Sequence, residues 1–168
     1  MKDHFALFGL APAFAVDAVA LERAYRDIQS HIHPDRHAHA GDAERRASMQ
    51  WTTRVNEAYR TLKSPVQRAK YLLELNGVDV AFETNTQMPA EFLTRQLELR
   101  ETLAEAKDTG VLDRLHDEVR QETRTLEHGL ADLIDARRDF AAAAGQVRKL
   151  MFLHKLAEEI ERAYEEIE

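Results

Sequence analysis

The sequence predicts an all-α protein in two parts, an N-terminal helical hairpin unit followed by a C-terminal three-helix bundle. Three observations carry this reading. Apolar residues recur at three- and four-residue steps along most of the 168 residues, and no segment reads as a strand. Helix breakers are few, with 6 Gly and 4 Pro. Residues 78–88 hold scattered Val and Phe without any period, so they divide the chain as a linker.

Seven helices follow in order. The first is expected over residues 4–10 and the second over 18–32, with Asp17 as N-cap and Leu21, Tyr25, Ile28 and Ile32 on one face. Pro34 pushes His33 out of helical geometry and ends that helix. Trp51, Val55, Ala58, Tyr59 and Leu62 give the third helix its period over 43–62. Ser64 as cap and Pro65 at the first helical position open a fourth over 65–75, which Asn76-Gly77 closes. The bundle helices are expected at 89–107, 111–137 and 140–167, the first two parted by Asp108-Thr109-Gly110. The domains therefore read as 1–76 and 89–168, joined by a linker at 77–88.

Composition excludes several classes of chemistry. There is no cysteine, so disulfides, thiolate metal sites and cysteine catalysis are absent. No secretory signal is visible, and no apolar run is long enough to span a membrane, so a cytoplasmic location is expected. Residues 1–76 carry 11 Lys/Arg against 9 Asp/Glu, a net of +2, while residues 77–168 carry 12 against 21, a net of −9. Such an acidic second half argues against nucleic acid or anionic lipid as its partner and suits a partner with a basic patch. No nucleophile–base pair and no phosphate loop is present, and no cofactor is expected.

The tripeptide His33-Pro34-Asp35 lies at the tip of the hairpin, where a loop held by two packed helices presents side chains outward. With the short Asp3-His4-Phe5-Ala6-Leu7-Phe8-Gly9-Leu10 before it and Asn56-Glu57-Ala58-Tyr59-Arg60-Thr61-Leu62 after it, this frame resembles a J-domain. The following Ser64-Pro65-Val66-Gln67-Arg68-Ala69-Lys70-Tyr71-Leu72-Leu73-Glu74-Leu75-Asn76-Gly77 is similar to the HscB family, the J-type co-chaperones of iron–sulfur cluster assembly. So are Phe92-Leu93-Thr94-Arg95-Gln96-Leu97-Glu98-Leu99-Arg100-Glu101 and Val147-Arg148-Lys149-Leu150-Met151-Phe152-Leu153, and the resemblance spans essentially the whole chain.

The resemblance implies that His33, Pro34 and Asp35, with Arg23, Arg26 and Arg36, dock on a DnaK-type ATPase chaperone (HscA in the family) and stimulate its ATP hydrolysis. Pro34 fixes the backbone, Asp35 offers a carboxylate and His33 offers ring hydrogen bonds. Glu22 and Asp27 dilute the cationic second helix usual in J-domains, which implies weaker electrostatic steering. His31, His33, His37 and His39 crowd nine positions, and a transition-metal site there is the alternative reading. No Asp/Cys pattern completes one, so no metal is expected.

On the first bundle helix Leu99 and Leu103 fall within about 20° of Phe92, and the three make a core stripe. Leu93 and Leu97 lie about 100° and 140° away, beside Thr94, Glu98, Glu101 and Glu105. On the last helix Leu150, Leu153, Ala157, Ile160 and Tyr164 form the seam, leaving Phe152 about 110° off its centre. By residues alone this is either a binding patch or an ordinary solvated face. The family resemblance implies that Leu93, Leu97, Glu98, Glu101, Glu105 and Phe152 hold the iron–sulfur scaffold protein IscU, with Thr94 standing where the family commonly has methionine. The expected protein is an adaptor and not an enzyme; a general J-protein with another client is the alternative.

Overall fold

The computed structural model describes residues 2–32, 35, 39, 41–80 and 88–167. Among these residues no strand forms, and seven α-helices follow one another: α1 His4–Leu7, α2 Ala18–Ile32, α3 Asp42–Lys63, α4 Pro65–Leu75, α5 Ala90–Glu105, α6 Thr109–Ala131 and α7 Phe140–Ile167. The chain divides into two compact units, Met1–Leu72 and Leu73–Glu168.

Capping chemistry sets most of the boundaries. Asp3 Oδ1 accepts from the Ala6 amide at 2.8 Å and starts α1, which is shorter than its apolar pattern predicts. Gly9 takes φ 67°, and the Leu10 amide folds back onto the Phe5 carbonyl at 2.9 Å, so the chain leaves the helix in a left-handed cap. Asp17 caps α2 by accepting from the amides of Val19 (3.0 Å) and Ala20 (3.2 Å). At the end of α4, Gly77 at φ 76° repeats the left-handed exit, with the Val78 amide on the Leu73 carbonyl at 2.8 Å.

In the first unit, Phe5, Phe8, Phe14, Leu21, Val55, Ala58, Leu62, Ala69 and Leu72 are buried. Tyr25 of α2 stacks on Tyr59 of α3 with ring centroids 4.0 Å apart, and its hydroxyl donates to Asn56 Oδ1 at 2.5 Å. Trp51, counted in the apolar period of α3, is instead 47% exposed; the Arg54 guanidinium lies over its ring at 5.5 Å.

In the second unit, Leu99 of α5 joins Leu112, Leu115 and Val119 of α6 and Leu153, Leu156 and Ile160 of α7 in one core. Asp108 does not separate α5 from α6 so much as start α6, since its carboxylate accepts from the Val111 amide at 3.1 Å and takes Thr109 and Gly110 into the first turn. At the other end α6 stops at Ala131 and widens into a π-helical turn, Asp132–Ala136. Arg138 then takes φ 51°, a left-handed conformation that is costly for a residue with a side chain. Its guanidinium donates to Asn76 Oδ1 at 3.1 Å and lies over the Phe140 ring at 5.0 Å, contacts that hold the turn.

Candidate functional site: a hairpin loop and a helix face

The hairpin site is positioned from its roots. The Ile32 carbonyl ends α2, and the Ser48 hydroxyl of α3 donates to it at 2.6 Å from a position only 7% exposed. Thr52 Oγ1 also reaches the Ile32 carbonyl, at 3.4 Å, so the last turn of α2 is tied to α3 by polar bonds from two side chains. Polarity hid Ser48 from an apolar-period reading, although its spacing of seven from Val55 places it on the core face.

Of the loop residues singled out, Asp35 is exposed, while His33, Pro34 and Arg36 lie outside the described residues. Arg23 and Arg26 are exposed on α2, and Arg26 donates to Glu22 Oε1 at 2.8 Å. That pair puts a carboxylate against one of the two cations on this helix, in line with the dilution expected from Glu22. His31 is exposed with Nδ1 2.8 Å from the Asp27 carbonyl, and His39 is exposed; His37, like His33, lies outside the described residues. Among the described residues no group of three or more His, Asp or Glu side chains is arranged to hold a metal ion.

The second site is a face of α5. Leu93 is 39% and Leu97 62% exposed, and Thr94, Glu98, Glu101 and Glu105 are exposed beside them on adjoining arcs of the same helix. Arg95 donates to Glu118 of α6 at 2.6 Å and lies 3.5 Å from Glu98, which leaves Glu101 and Glu105 to dominate the field over this face. On the other flank Phe92, half-buried, meets the half-buried Phe152 of α7 edge-to-face, centroids 6.3 Å apart at 79°. Lys149 Nζ lies over the Phe92 ring at 5.8 Å. Two turns beyond Phe92, Arg100 donates to Glu159 of α7. The structure thus brings Leu93, Leu97, Glu98, Glu101 and Glu105 onto one helix and sets Phe152 beside that helix through Phe92.

Three residues of this region were not among those expected to bind a partner. Phe92 was assigned to the core and is half-buried at its edge; Lys149 reaches the same ring from α7. Gln96 is 4% exposed, one of only two fully buried residues of α5 with Leu99. Its angle, about 40° from Phe92, lies inside the core arc, so the period marked the position and the amide concealed it.

Elsewhere in this unit the Tyr164 hydroxyl donates to Asp113, and that bond holds the phenol up at about 12. Among the described residues no helix is long and apolar enough to cross a membrane.

Comparison with known proteins assigns both units. Residues 3–71 match the DnaJ domain family, and residues 88–161 match the HSCB C-terminal oligomerisation domain family. A protein of Ralstonia nicotianae, "Co-chaperone protein HscB homolog", is 53% identical over 168 residues, 98% of this chain and 96% of that protein. One of the same name from Azoarcus sp. is 50% identical over 170 residues, 99% of this chain and 96% of that protein. Among solved structures, "Chaperone HscB from Vibrio cholerae" superposes with a TM-score of 0.85 at 34% identity, covering 99% of this chain and 100% of that one. The human co-chaperone protein HscB superposes with a TM-score of 0.92 at 28% identity, covering 96% of this chain and 82% of that one. With a J-domain fold at its start and the HscB-type bundle after it, the chain belongs to the HscB family of J-type co-chaperones.

Proposed function

We propose that this chain is an adaptor of iron–sulfur cluster assembly that works in the cytoplasm. Residues 1–76 form the J-domain that engages a DnaK-type ATPase chaperone of the HscA kind. His33, Pro34 and Asp35 stimulate ATP hydrolysis there, with Arg23, Arg26 and Arg36 steering the encounter. Beyond the linker at 77–88, residues 89–168 hold an IscU-type scaffold through Leu93, Leu97, Glu98, Glu101, Glu105 and Phe152. Carrying both partners on one chain raises the concentration of client at the chaperone, and the protein itself makes and breaks no bond.

One observation carries the scaffold half of this reading. Two leucines stand 39% and 62% exposed on a helix whose neighbouring arc holds three glutamates. Apolar side chains rimmed by one sign of charge suit a protein partner with a basic border, and apolar residues at the centre of such a face supply most of the affinity.

The test is calorimetric titration with an IscU-type scaffold from the same source, set beside ATPase stimulation of the HscA-type chaperone. Wild type binds the scaffold saturably, and Leu93/Leu97/Phe152→Ala loses that binding while still stimulating ATP hydrolysis. His33→Gln does the reverse. Stimulation of the chaperone without any scaffold binding would leave a general J-protein serving another client, and normal stimulation by His33→Gln would remove the J-domain assignment of that loop.

A further inference from the structure

Gln96 is the one polar side chain fully buried in the seam of α5, and neither its amide nitrogen nor its amide oxygen has a hydrogen-bond partner among the described residues. A buried primary amide that forfeits its bonds to water without gaining any inside is destabilising, and native proteins carry few of them. An apolar side chain of similar length would fill the position without that penalty, so packing alone gives no account of a glutamine here.

Its position supplies one. Phe92, Gln96 and Arg100 succeed one another at four-residue steps along the flank of α5 that meets α7. Phe92 is bridged to Phe152 and Arg100 to Glu159, so the amide is sealed between two contacts. The first bridge includes Phe152 of the face read above as the scaffold-docking surface, and the second lies two turns further along the same flank. Phe152 is itself half-buried, so part of its ring is open to a docking partner. Glu159, the partner of Arg100, is half-buried, so a basic group arriving at this edge would meet its carboxylate too. Loosening either bridge frees an amide that has no bond in the fold to give up.

We propose that Gln96 is a specificity-determining residue of the docking face, whose amide pairs with an exposed backbone peptide group of the partner when docking opens the α5–α7 seam. The inference rests on the scaffold-docking reading. It makes Gln96 unusual among buried residues: removing its polar group strengthens the fold and weakens recognition. A group buried for packing alone would change only the first.

The experiment pairs urea denaturation with calorimetric titration of an IscU-type scaffold, for wild type, Gln96→Met and Gln96→Leu. Both variants are expected to raise the unfolding midpoint and to weaken scaffold binding roughly three- to tenfold, the scale of one neutral hydrogen bond. A raised midpoint with unchanged or tighter binding overturns the role in recognition while leaving the docking face in place. A lowered midpoint in both variants overturns it too, because the amide then has a partner inside the fold. A wild-type protein that fails to bind the folded scaffold removes the docking reading and this inference together.

Discussion

Helices α5 and α7 lie in the same bundle and are built on opposite terms. Along α7, Ala143, Ala144, Val147, Leu150, Leu153, Leu156 and Ile160 are buried in succession. Along α5 only Gln96 and Leu99 are, although the helix carries Leu93 and Leu97 as well as Phe92 and Leu103. Much of the apolar surface of α7 is used inside the fold, with Phe152 left half-buried at its edge. Those of α5 are divided between a narrow stripe that fastens the helix and a second stripe that faces outward. A helix that packs lightly and shows its leucines is poorly explained as scaffolding, and a helix that hides nearly all of its apolar side chains has little left with which to bind.

The sharpest way to break this comparison is to truncate a leucine on each helix. Leu153 of α7 is 0% exposed, and Leu153→Ala should cost about 2–5 kcal/mol in urea denaturation, the range for a buried leucine cut back in a packed core. Leu97 of α5 is 62% exposed, and Leu97→Ala should stay within about 0.5 kcal/mol of wild type. Scaffold affinity should reverse the order, with Leu97→Ala losing about tenfold or more at the centre of the face. Equal losses of stability in the two variants would mean that α5 is anchored as α7 is.

A second contrast concerns two buried polar side chains of opposite sign, one in each unit. Ser48 is 7% exposed and donates to the Ile32 carbonyl, whereas Gln96 is 4% exposed and bonds to nothing. Ser48→Ala leaves a part-buried carbonyl with one donor fewer, and a loss of about 1 kcal/mol is expected on thermal or urea unfolding. Gln96→Leu should move the midpoint the other way. Two losses of similar size would make the bundle amide as well satisfied as the hairpin hydroxyl.

Much of this arrangement was legible beforehand, because the helices follow from apolar period and capping residues that act locally. Residues 65–75 and 140–167 were read with the boundaries that the structure has, the first because Ser64-Pro65 and Asn76-Gly77 mark both ends chemically. Leu93 and Leu97 were placed at the edge of the core or outside it by angle, and their exposure agrees. Period fails where side-chain type and position disagree. Gln96 and Ser48 occupy core angles as polar residues, and Trp51 occupies one as an exposed aromatic. The turn after α6 escaped for another reason: residues 132–136 continue the helical pattern, and only the backbone contacts around Arg138 show the winding change. The family resemblance supplied an expectation that no period could, namely which exposed face would meet which partner.

The smallest expected effect lies in the hairpin unit, where the aromatic packing absent from most of α5 meets a titratable ring. His4 stacks on Tyr71 with ring centroids 4.2 Å apart, and its backbone amide donates to the Tyr71 hydroxyl at 2.9 Å. Burial of the imidazole lowers its pKa from 6.5; Glu57 opposes that shift, Arg54 adds to it, and Asp3 opposes it. A histidine with a lowered pKa in the fold is protonated more readily in the unfolded chain, so acid favours unfolding. Its contribution is complete above about pH 7.5, declines as pH falls through about 6.5, and levels off below the folded pKa. The chain carries 8 histidines, so the signal is the gap between wild type and His4→Phe, a variant that keeps the aromatic stack. The unfolding midpoint of wild type should fall relative to His4→Phe between about pH 7.5 and 5.5. A gap constant with pH would mean that the neighbouring carboxylates offset burial, and that the stack on Tyr71 accepts the charged ring as readily as the neutral one.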